Sequence, residues 1–512
     1  MSKKKITKSA VETGFDNECY LKEQSKAILE RASRFKKLYL EFGGKIVYDY
    51  HAARVLPGFD LNVKMRLLQQ LRKNAEIIVC IYAGDIERRK LRADFGITYD
   101  VDALKLIDDV RSWGIEIAGV VITRFNEQPA AKIFKNKLER RGIHVVTHPV
   151  TAGYPTDIDT VVSDRGYGAH TYIPTTKPLV VVTGPGPGSG KLATCLSQLY
   201  HEHSRGISAG YAKFETFPIW NIPLKHPVNI AYEAATADLR DFNLIDPFHL
   251  EAYGLSAVNY NRDVEAFPLL ERILKKITGG SSLYKSPTDM GVNRAGFGIV
   301  NDDCVRHAAC QEIIRRYFRY QCEYRLGFVE KSTVERVELL MDELRLSPED
   351  RPVVCPARRA SELAREKGKG NEGIFCGAAL ELKNKQIVTG KNSSLMHATA
   401  SVIFNSIKQL AKIPDKIHLL SPGIIKSIKE FKKSVSGTKA ASLDLDEALI
   451  ALSISAMTNP TASLAVDQLR FLNGCEMHMT HIPTPGDEAG LRRLGVNLTS
   501  ESEFSSKNLF VV

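Results

Sequence analysis

The chain of 512 residues has no paired cysteine spacing, no long apolar run, no internal repeat and no low-complexity tract. Each absence excludes a class of protein. The nine cysteines (Cys19, Cys80, Cys195, Cys304, Cys310, Cys322, Cys355, Cys376 and Cys475) stand singly, odd in number and without a C-x-x-C pair, which excludes a disulfide framework and a cysteine-based structural zinc site. No apolar stretch approaches the roughly 20 residues of a membrane-spanning helix, and Met1 to Asn17 is polar with no signal-like apolar segment. The expected setting is a reducing cytoplasm, with no membrane.

What is present is an ordinary globular balance, 44% hydrophobic and 25% charged residues, which excludes disordered, collagen-like and coiled-coil chains. Single cores stop growing at roughly 250 to 300 residues, so the length calls for two or three domains. Lys and Arg number 70 against 59 Asp and Glu, a formal charge of 70 − 59 = +11. The most basic run, Lys426 to Lys439, contains Phe431 as its one aromatic, so nothing stacks bases there. It reads as a solvated helix face, and nucleic acid is not an expected partner.

Between about Lys73 and Phe214, short β-branched runs alternate with amphipathic stretches, the pattern of strands buried on both faces between crossover helices. Strands are expected at Glu76 to Tyr82, Glu116 to Thr123, His144 to His148, Leu179 to Thr183 and Ser208 to Phe214. The fold class is therefore α/β with a mostly parallel, Rossmann-like sheet, whose ligands bind beyond the carboxyl ends of the strands. Longer helical patterns follow (Val264 to Ile277, Cys304 to Phe328, Thr333 to Leu346), and from near Pro352 an α/β pattern returns: an apolar run Gly373 to Leu382, strands at Gln386 to Thr389 and Lys416 to Leu420, and a helix from about Met396 to Ala411. The expected division is an α/β domain over 1–227, a helical domain over 228–350 and a second, smaller α/β domain over 351–512.

The strongest chemical signal runs from Leu179 to Thr194: an apolar strand enters the turn Gly184-Pro185-Gly186-Pro187-Gly188-Ser189-Gly190-Lys191 and continues as a helix. Glycines let successive N–H groups face an anion, the helix terminus adds its dipole, and Lys191 reaches a β or γ phosphate. The match to G-x-x-x-x-G-K-[ST] is incomplete. Pro185 stands where the first glycine belongs, Pro185 and Pro187 donate no N–H, and Leu192 replaces the hydroxyl that holds Mg²⁺. Donors survive from Gly188 through Ser189, Gly190 and Lys191 to Leu192, and Thr194 or Ser189 must supply the hydroxyl. The alternative is a glycine turn that only packs a strand on its helix. Strand-end acids Glu215 and Asp85 are candidates for the metal.

At these residues a resemblance becomes specific. Gly14-Phe15-Asp16-Asn17-Glu18, Tyr154-Pro155-Thr156-Asp157, Gly188-Ser189-Gly190-Lys191, Ala212-Lys213-Phe214-Glu215-Thr216-Phe217-Pro218, Ser286-Pro287-Thr288-Asp289-Met290-Gly291-Val292-Asn293 and Gly486-Asp487-Glu488 resemble an uncharacterised bacterial family of about this length. The resemblance implies a three-part build, a cytosolic protein and a homo-oligomer. It brings no activity with it, but marks Lys191, Asp289 and Asn293 as candidate catalytic positions. More weakly, the hairpin Ala378 to Gly390, the helix opening His397-Ala398-Thr399 and the strand Lys416 to Leu420 resemble a cytidine-deaminase-like core. Thr399 stands in place of the glutamate and Gly423, Ile424 and Ser427 in place of the cysteine pair, so that scaffold would lack its zinc.

Other clusters are weighed against plainer roles. Glu476, His478 and His481 could bind a divalent ion, but match no established ligand spacing and equally suit a solvated strand edge. Asp238, Asp241, Asp246 and His249 suit Mg²⁺ or helix caps. Lys285, Asp289 and Asn293 lie in a Pro- and Gly-held loop. Together these features lead to an expected nucleotide or phosphorylated small molecule, ATP or GTP with Mg²⁺, held by Gly188 to Leu192 and Thr194 for phosphoryl transfer or triphosphate hydrolysis. The alternative is a nonenzymatic nucleotide sensor or scaffold.

Overall fold

Six short runs rich in β-branched and aromatic residues form a parallel sheet: β1 (Lys37–Phe42), β2 (Ala75–Tyr82), β3 (Glu116–Thr123), β4 (Val145–His148), β5 (Leu179–Thr183) and β6 (Ala209–Phe214). The computed structural model describes residues 13–92, 96–280, 283–435 and 442–506, in two compact units that divide between Glu312 and Ile313. The strand order is β4-β3-β2-β5-β1-β6, every pairing parallel. The chain leaves β2 in one direction for β3 and β4, then returns across β2 to β5. That reversal opens a crevice at the carboxyl edge, where ligands of such sheets bind.

The sheet core follows from the two-residue period of the strands. On one face Tyr39, Ile78, Cys80, Val180, Val182 and Tyr211 pack against Cys195, Leu196 and Leu199 of the helix Lys191–Ser204 and Phe267, Leu270 and Leu274 of the helix Asn261–Thr278. Removing each such side chain from water stabilises by about 1.5–3 kcal/mol. The five strands expected from sequence are present. The sixth, β1, is not among them, although it lies between β5 and β6. Its charged ends hide it: Lys37 is buried against Glu202 at 2.8 Å, which also accepts from the Tyr39 hydroxyl at 2.7 Å, and Glu41 is buried beneath Tyr211.

The three long helices lie close to their expected positions, at Asn261–Thr278, Asp302–Arg325 and Lys331–Glu343. The contacts divide the chain once, so residues 228–312 of the helical stretch fold with the first unit and 313–350 with the second. The apolar stripe of Asn261–Thr278 is what joins it to the sheet.

The second unit holds a sheet of β7 (Gly377–Glu381), β8 (Ile387–Lys391), β9 (Glu476–Met479) and β10 (Asn497–Ser500) in the order β8-β7-β9-β10. Its first two pairings are antiparallel and β9–β10 is parallel. The helix Ala398–Ala411 buries Val402, Ile403 and Ile407 beneath it. One expectation fails. Lys416 to Leu420 is no strand: Ile417 N–H closes a turn on Pro414 O at 3.0 Å, and Leu419 and Leu420 go into the core without joining a ladder. The resemblance to a deaminase-like core loses one of its three supports there. The basic run Lys426 to Lys439 forms the helix Pro422–Ser434, and its positions 436–439 lie outside the described residues.

Candidate functional site

β5 ends at Thr183, and the chain turns through Gly184 to Gly190 into the helix Lys191–Ser204. Gly188 and Gly190 have φ of +74° and +91°, and a Cβ on Gly190 would stand 2.6 Å from Thr123 Cγ2. Thr123 Oγ1 donates to Ser189 O at 2.8 Å, and Arg124 Nη2, its guanidinium 3.5 Å over the Tyr82 ring, donates to Gly188 O at 2.5 Å. With those carbonyls held by β3, the backbone N–H groups of Gly188, Ser189, Gly190, Lys191 and Leu192 donate to no acceptor among the described residues. Lys191 Nζ folds over the same turn, 3.3 Å from Gly186 O and 3.4 Å from Ser189 Oγ. The crevice beside Thr183 to Pro185 is lined by Lys45, Tyr48, Asp102, Asp109 and Lys105, the last with its ammonium 4.4 Å over the Tyr48 ring and 2.5 Å from Asp109 Oδ2.

Of the two hydroxyls that could replace the missing one after Lys191, only Ser189 is beside the lysine. Thr194 is fully buried and accepts from Cys80 Sγ at 3.3 Å, beneath β2. Burial pushes the Cys80 thiol up to about 12, so it stays protonated there.

Two strands away lies a denser constellation that sequence reasoning did not assemble. Glu41 is in register with Val182 of β5 on one side and Lys213 of β6 on the other. Strands stand about 4.8 Å apart, which sets the glycine turn after β5 and Glu215 after β6 roughly 10 Å from each other. Lys213 Nζ reaches both Asp263 carboxylate oxygens at 2.6 Å, donates to the Tyr260 hydroxyl and lies 3.4 Å from Glu215 Oε1. Tyr260 O–H also approaches Glu215 Oε1, at 3.4 Å, and Tyr211 O–H donates to Glu41 Oε2 at 2.7 Å. Gly43 has no side chain where the Glu215 carboxyl packs. Burial raises the Glu215 carboxyl to about 7; Lys213 opposes the rise while Asp263 and Glu41 add to it. Burial works against the Lys213 charge, but Asp263, Glu215 and Glu41 outweigh it and hold the ammonium more firmly protonated.

Asn293 joins this constellation. Its Oδ1 accepts the Glu215 backbone N–H at 2.7 Å, and its carbonyl accepts Trp220 Nε1–H at 3.0 Å. The loop carrying it is clamped by the helix Asn17–Ala32: Gln24 donates to Val292 O at 2.5 Å and accepts Arg294 N–H at 3.0 Å. Asp289 turns elsewhere, its carboxylate accepting Tyr253 O–H at 2.9 Å and Lys285 N–H at 3.2 Å. Lys191, Asp289 and Asn293 therefore occupy three different settings. Lys213 belongs to the string Ala212 to Pro218, whereas Asp263 and Tyr260 meet it only through the fold.

The remaining candidates are committed to protein partners. Asp85 is buried and ion-paired with Arg88. Asp241 pairs with Arg262, Asp246 caps the helix Pro247–Tyr253 and accepts from Thr288, and His249 bonds Ser286 Oγ at 2.9 Å. In the second unit Glu476 holds buried Arg351 at 2.6 Å, His478 sits between Thr499 and Glu501, and His481 bonds Thr480. Glu476, His478 and His481 thus face separate partners, and among the described residues no three His, Cys, Asp or Glu side chains are gathered to hold a metal ion. His397 Nδ1 lies 2.7 Å from Asp487 Oδ2, a pair made by the Gly486-Asp487-Glu488 string. Burial opposes its charge, yet Asp487 raises the imidazole above its ordinary value. Thr399 Oγ1 bonds Met479 Sδ, so the histidine and threonine of the deaminase-like pattern serve packing and a salt bridge.

The class these observations define is a two-unit α/β protein, with a glycine turn and a buried Lys–Glu–Asp constellation on the same carboxyl edge of a six-stranded parallel sheet. Residues 13–345 match the model of the domain of unknown function DUF1846, N-terminal, and residues 349–510 that of DUF1846, C-terminal, so the chain belongs to this family. The seam between the two matches, 345 to 349, lies just before Pro352. A UPF0371 protein of Clostridium tetani is 57% identical over 497 residues, 97% of this chain and 99% of the relative. One from Clostridium botulinum (strain Langeland) is 58% identical over 498 residues, with the same coverage. No described helix is long and apolar enough to cross a membrane.

Proposed function

We propose that the protein binds a phosphorylated ligand, a nucleoside triphosphate of the ATP or GTP class, at the turn Gly184 to Leu192. The observation that carries this reading is the run of five backbone donors, Gly188 to Leu192, without acceptors among the described residues and with the Lys191 ammonium folded over them. Oriented N–H groups and a cation at a helix start stabilise phosphate charge without reorganising. Lys45 and Tyr48 beside the turn offer a cation and an aromatic face for the rest of such a ligand, while Lys105 is paired with Asp109 and Asp102 lines the same crevice. Ser189, buried beside Lys191, is the hydroxyl nearest that ammonium; Glu41 of β1 and Asp85 of the short helix Ala83–Glu87 after β2 are paired with Tyr211 and Arg88 and would have to be released to complement Mg²⁺.

Calorimetric titration with ATP, GTP and pyrophosphate, in the presence and absence of Mg²⁺, tests this. Wild-type protein should bind, and Lys191→Ala should bind at least tenfold more weakly, about 1.4 kcal/mol. Equal binding by both proteins, or none by either, defeats the reading. A sensor without turnover is the second reading, favoured by the burial of Thr194 against Cys80. Nucleotide bound tightly but never hydrolysed or transferred supports it.

A further inference from the structure

The narrow crevice over the carboxyl end of β6 has no part in phosphate binding, yet it is the most chemically loaded site in the first unit. Pro218, Trp220, Val258 and Pro287 form its apolar wall, and Lys213, Glu215, Asp263, Asn293 and Thr288 its polar one, around about 20 Å³, room for one water-sized group such as a hydroxyl, with an open mouth. Most polar atoms there are already satisfied. Lys213 is saturated by Asp263 and Tyr260, and Thr288 Oγ1 donates to Asp246. Two are not: Glu215 Oε2 and the Asn293 amide Nδ2 make no hydrogen bond to a described residue. One is an acceptor and the other a donor, on two residues that line the same crevice, and a hydroxyl group, which both donates and accepts, can serve both.

We propose that this crevice binds the hydroxyl-bearing end of a small neutral polyol or sugar, and that Glu215 is the residue that takes the hydroxyl proton. Charge disfavours an anion, which would meet Glu41, Glu215 and Asp263, whereas a hydroxyl brings no charge to bury. Apolar C–H faces of such a molecule suit Trp220 and Pro218. The position of Glu215, pressed into the space left by Gly43 and half-neutral near pH 7, suits a general base.

Resting on the phosphate-loop reading, the step is a phosphoryl transfer. The substrate O–H bond breaks, its proton forms a bond to Glu215 Oε2, and the oxygen keeps the electron pair. That oxygen forms a new O–P bond to the terminal phosphoryl of a nucleoside triphosphate on the turn roughly 10 Å away, a separation a triphosphate chain can bridge. The bond from phosphorus to the β–γ bridging oxygen breaks, and the nucleoside diphosphate leaves with its electrons.

The test uses full-length protein with glycerol, ribose, glucose and myo-inositol as probes, read by saturation-transfer NMR and, with MgATP, by ADP formation. At least one probe should bind wild-type protein without nucleotide, and about tenfold more weakly to Asn293→Ala. In the isosteric Glu215→Gln, probe-dependent ADP formation should fall about 100-fold or more, a far larger loss than any change in probe binding. Unchanged tryptophan emission and melting show that each variant is folded. No binding by any probe between pH 6 and 8, or binding indifferent to Asn293→Ala, overturns the site. Probe-dependent turnover indifferent to Glu215→Gln overturns the role of Glu215. Probe binding in a protein that binds no nucleotide leaves the hydroxyl site standing and removes the transfer step alone.

Discussion

The stability of the first unit should fall with rising pH because of one carboxyl group. Glu215 shifts from an ordinary 4.5 to about 7 on folding, through burial reinforced by Asp263 and Glu41 against Lys213. The native state therefore holds a proton that the unfolded chain releases across that window. Its contribution is fully present below about pH 4.5 and lost as pH rises through 7. With about 1.36 kcal/mol per unit, the loss between pH 5 and pH 8 is about 2.5 kcal/mol. Glu215→Gln keeps the shape and removes the proton, so the difference between wild type and variant reads Glu215 together with its coupling to Lys213 and Asp263. Urea unfolding followed by tryptophan fluorescence measures it cleanly, since both tryptophans, Trp113 and Trp220, belong to the first unit. Wild type minus variant should decline steadily from pH 5 to pH 8. A difference flat to within about 0.5 kcal/mol would mean that Lys213 keeps Glu215 ionised throughout, and a difference rising with pH would reverse the order of forces argued here.

Two further perturbations probe the neighbouring elements. Gly190→Ala forces a side chain into the left-handed region and onto Thr123, and should cost about 2–3 kcal/mol in urea unfolding together with pyrophosphate affinity, whereas Gly188→Ala, with nothing nearer than Arg124 at 4.0 Å, should cost only about 1 kcal/mol; equal costs would contradict the close approach to β3. At the other end of the pH scale, burial holds His148 down to about 4 and His170 to about 3, with their rings stacked 4.4 Å apart. Between pH 6.5 and 4 the unfolded chain takes protons these rings refuse, so acid destabilises, and His170→Phe should reduce that loss by about 3 kcal/mol; an unchanged acid limb in the variant would show that His170 is not kept neutral.

The legible part of this fold is the part whose residues agree at every level. Leu179 to Thr183 is apolar until its last position and buried at every one, so composition alone identifies it as a central strand. Lys37 to Phe42 is just as central and was opaque, because its two charges are neutralised by Glu202 and by the β6 constellation, partners more than 150 residues away. The same reason explains the site. A glycine turn is a local pattern and can be read in one stretch, as Gly184 to Lys191 was. Lys213, the neighbours Tyr260 and Asp263, and Asn293 belong to three separate stretches and become one site only when β6 pairs with β1 and the helix Asn17–Ala32 fixes the Asn293 loop. Lys416 to Leu420 shows the converse: hydrophobic content predicts burial, and burial without a neighbouring strand is not a strand.

The place of β1 has a consequence for synthesis. β1 is made first of the six, yet its neighbours β5 and β6 begin some 140 and 170 residues later, with Leu38 set against Leu179 and Gly210. At about 5–20 residues per second, an emerging β1 waits roughly 10–35 s before both edges can pair. A strand exposed for that long is a template for association with other nascent chains. Lys37 and Glu41 give Lys37–Phe42 a charge near each end during the wait, the device by which unavoidable apolar strands are kept from sticking together. Both charges then become useful inside the finished sheet, one anchoring Glu202 and the other facing Lys213. Replacing them with apolar residues would threaten soluble yield from the ribosome before it altered any contact of the folded protein.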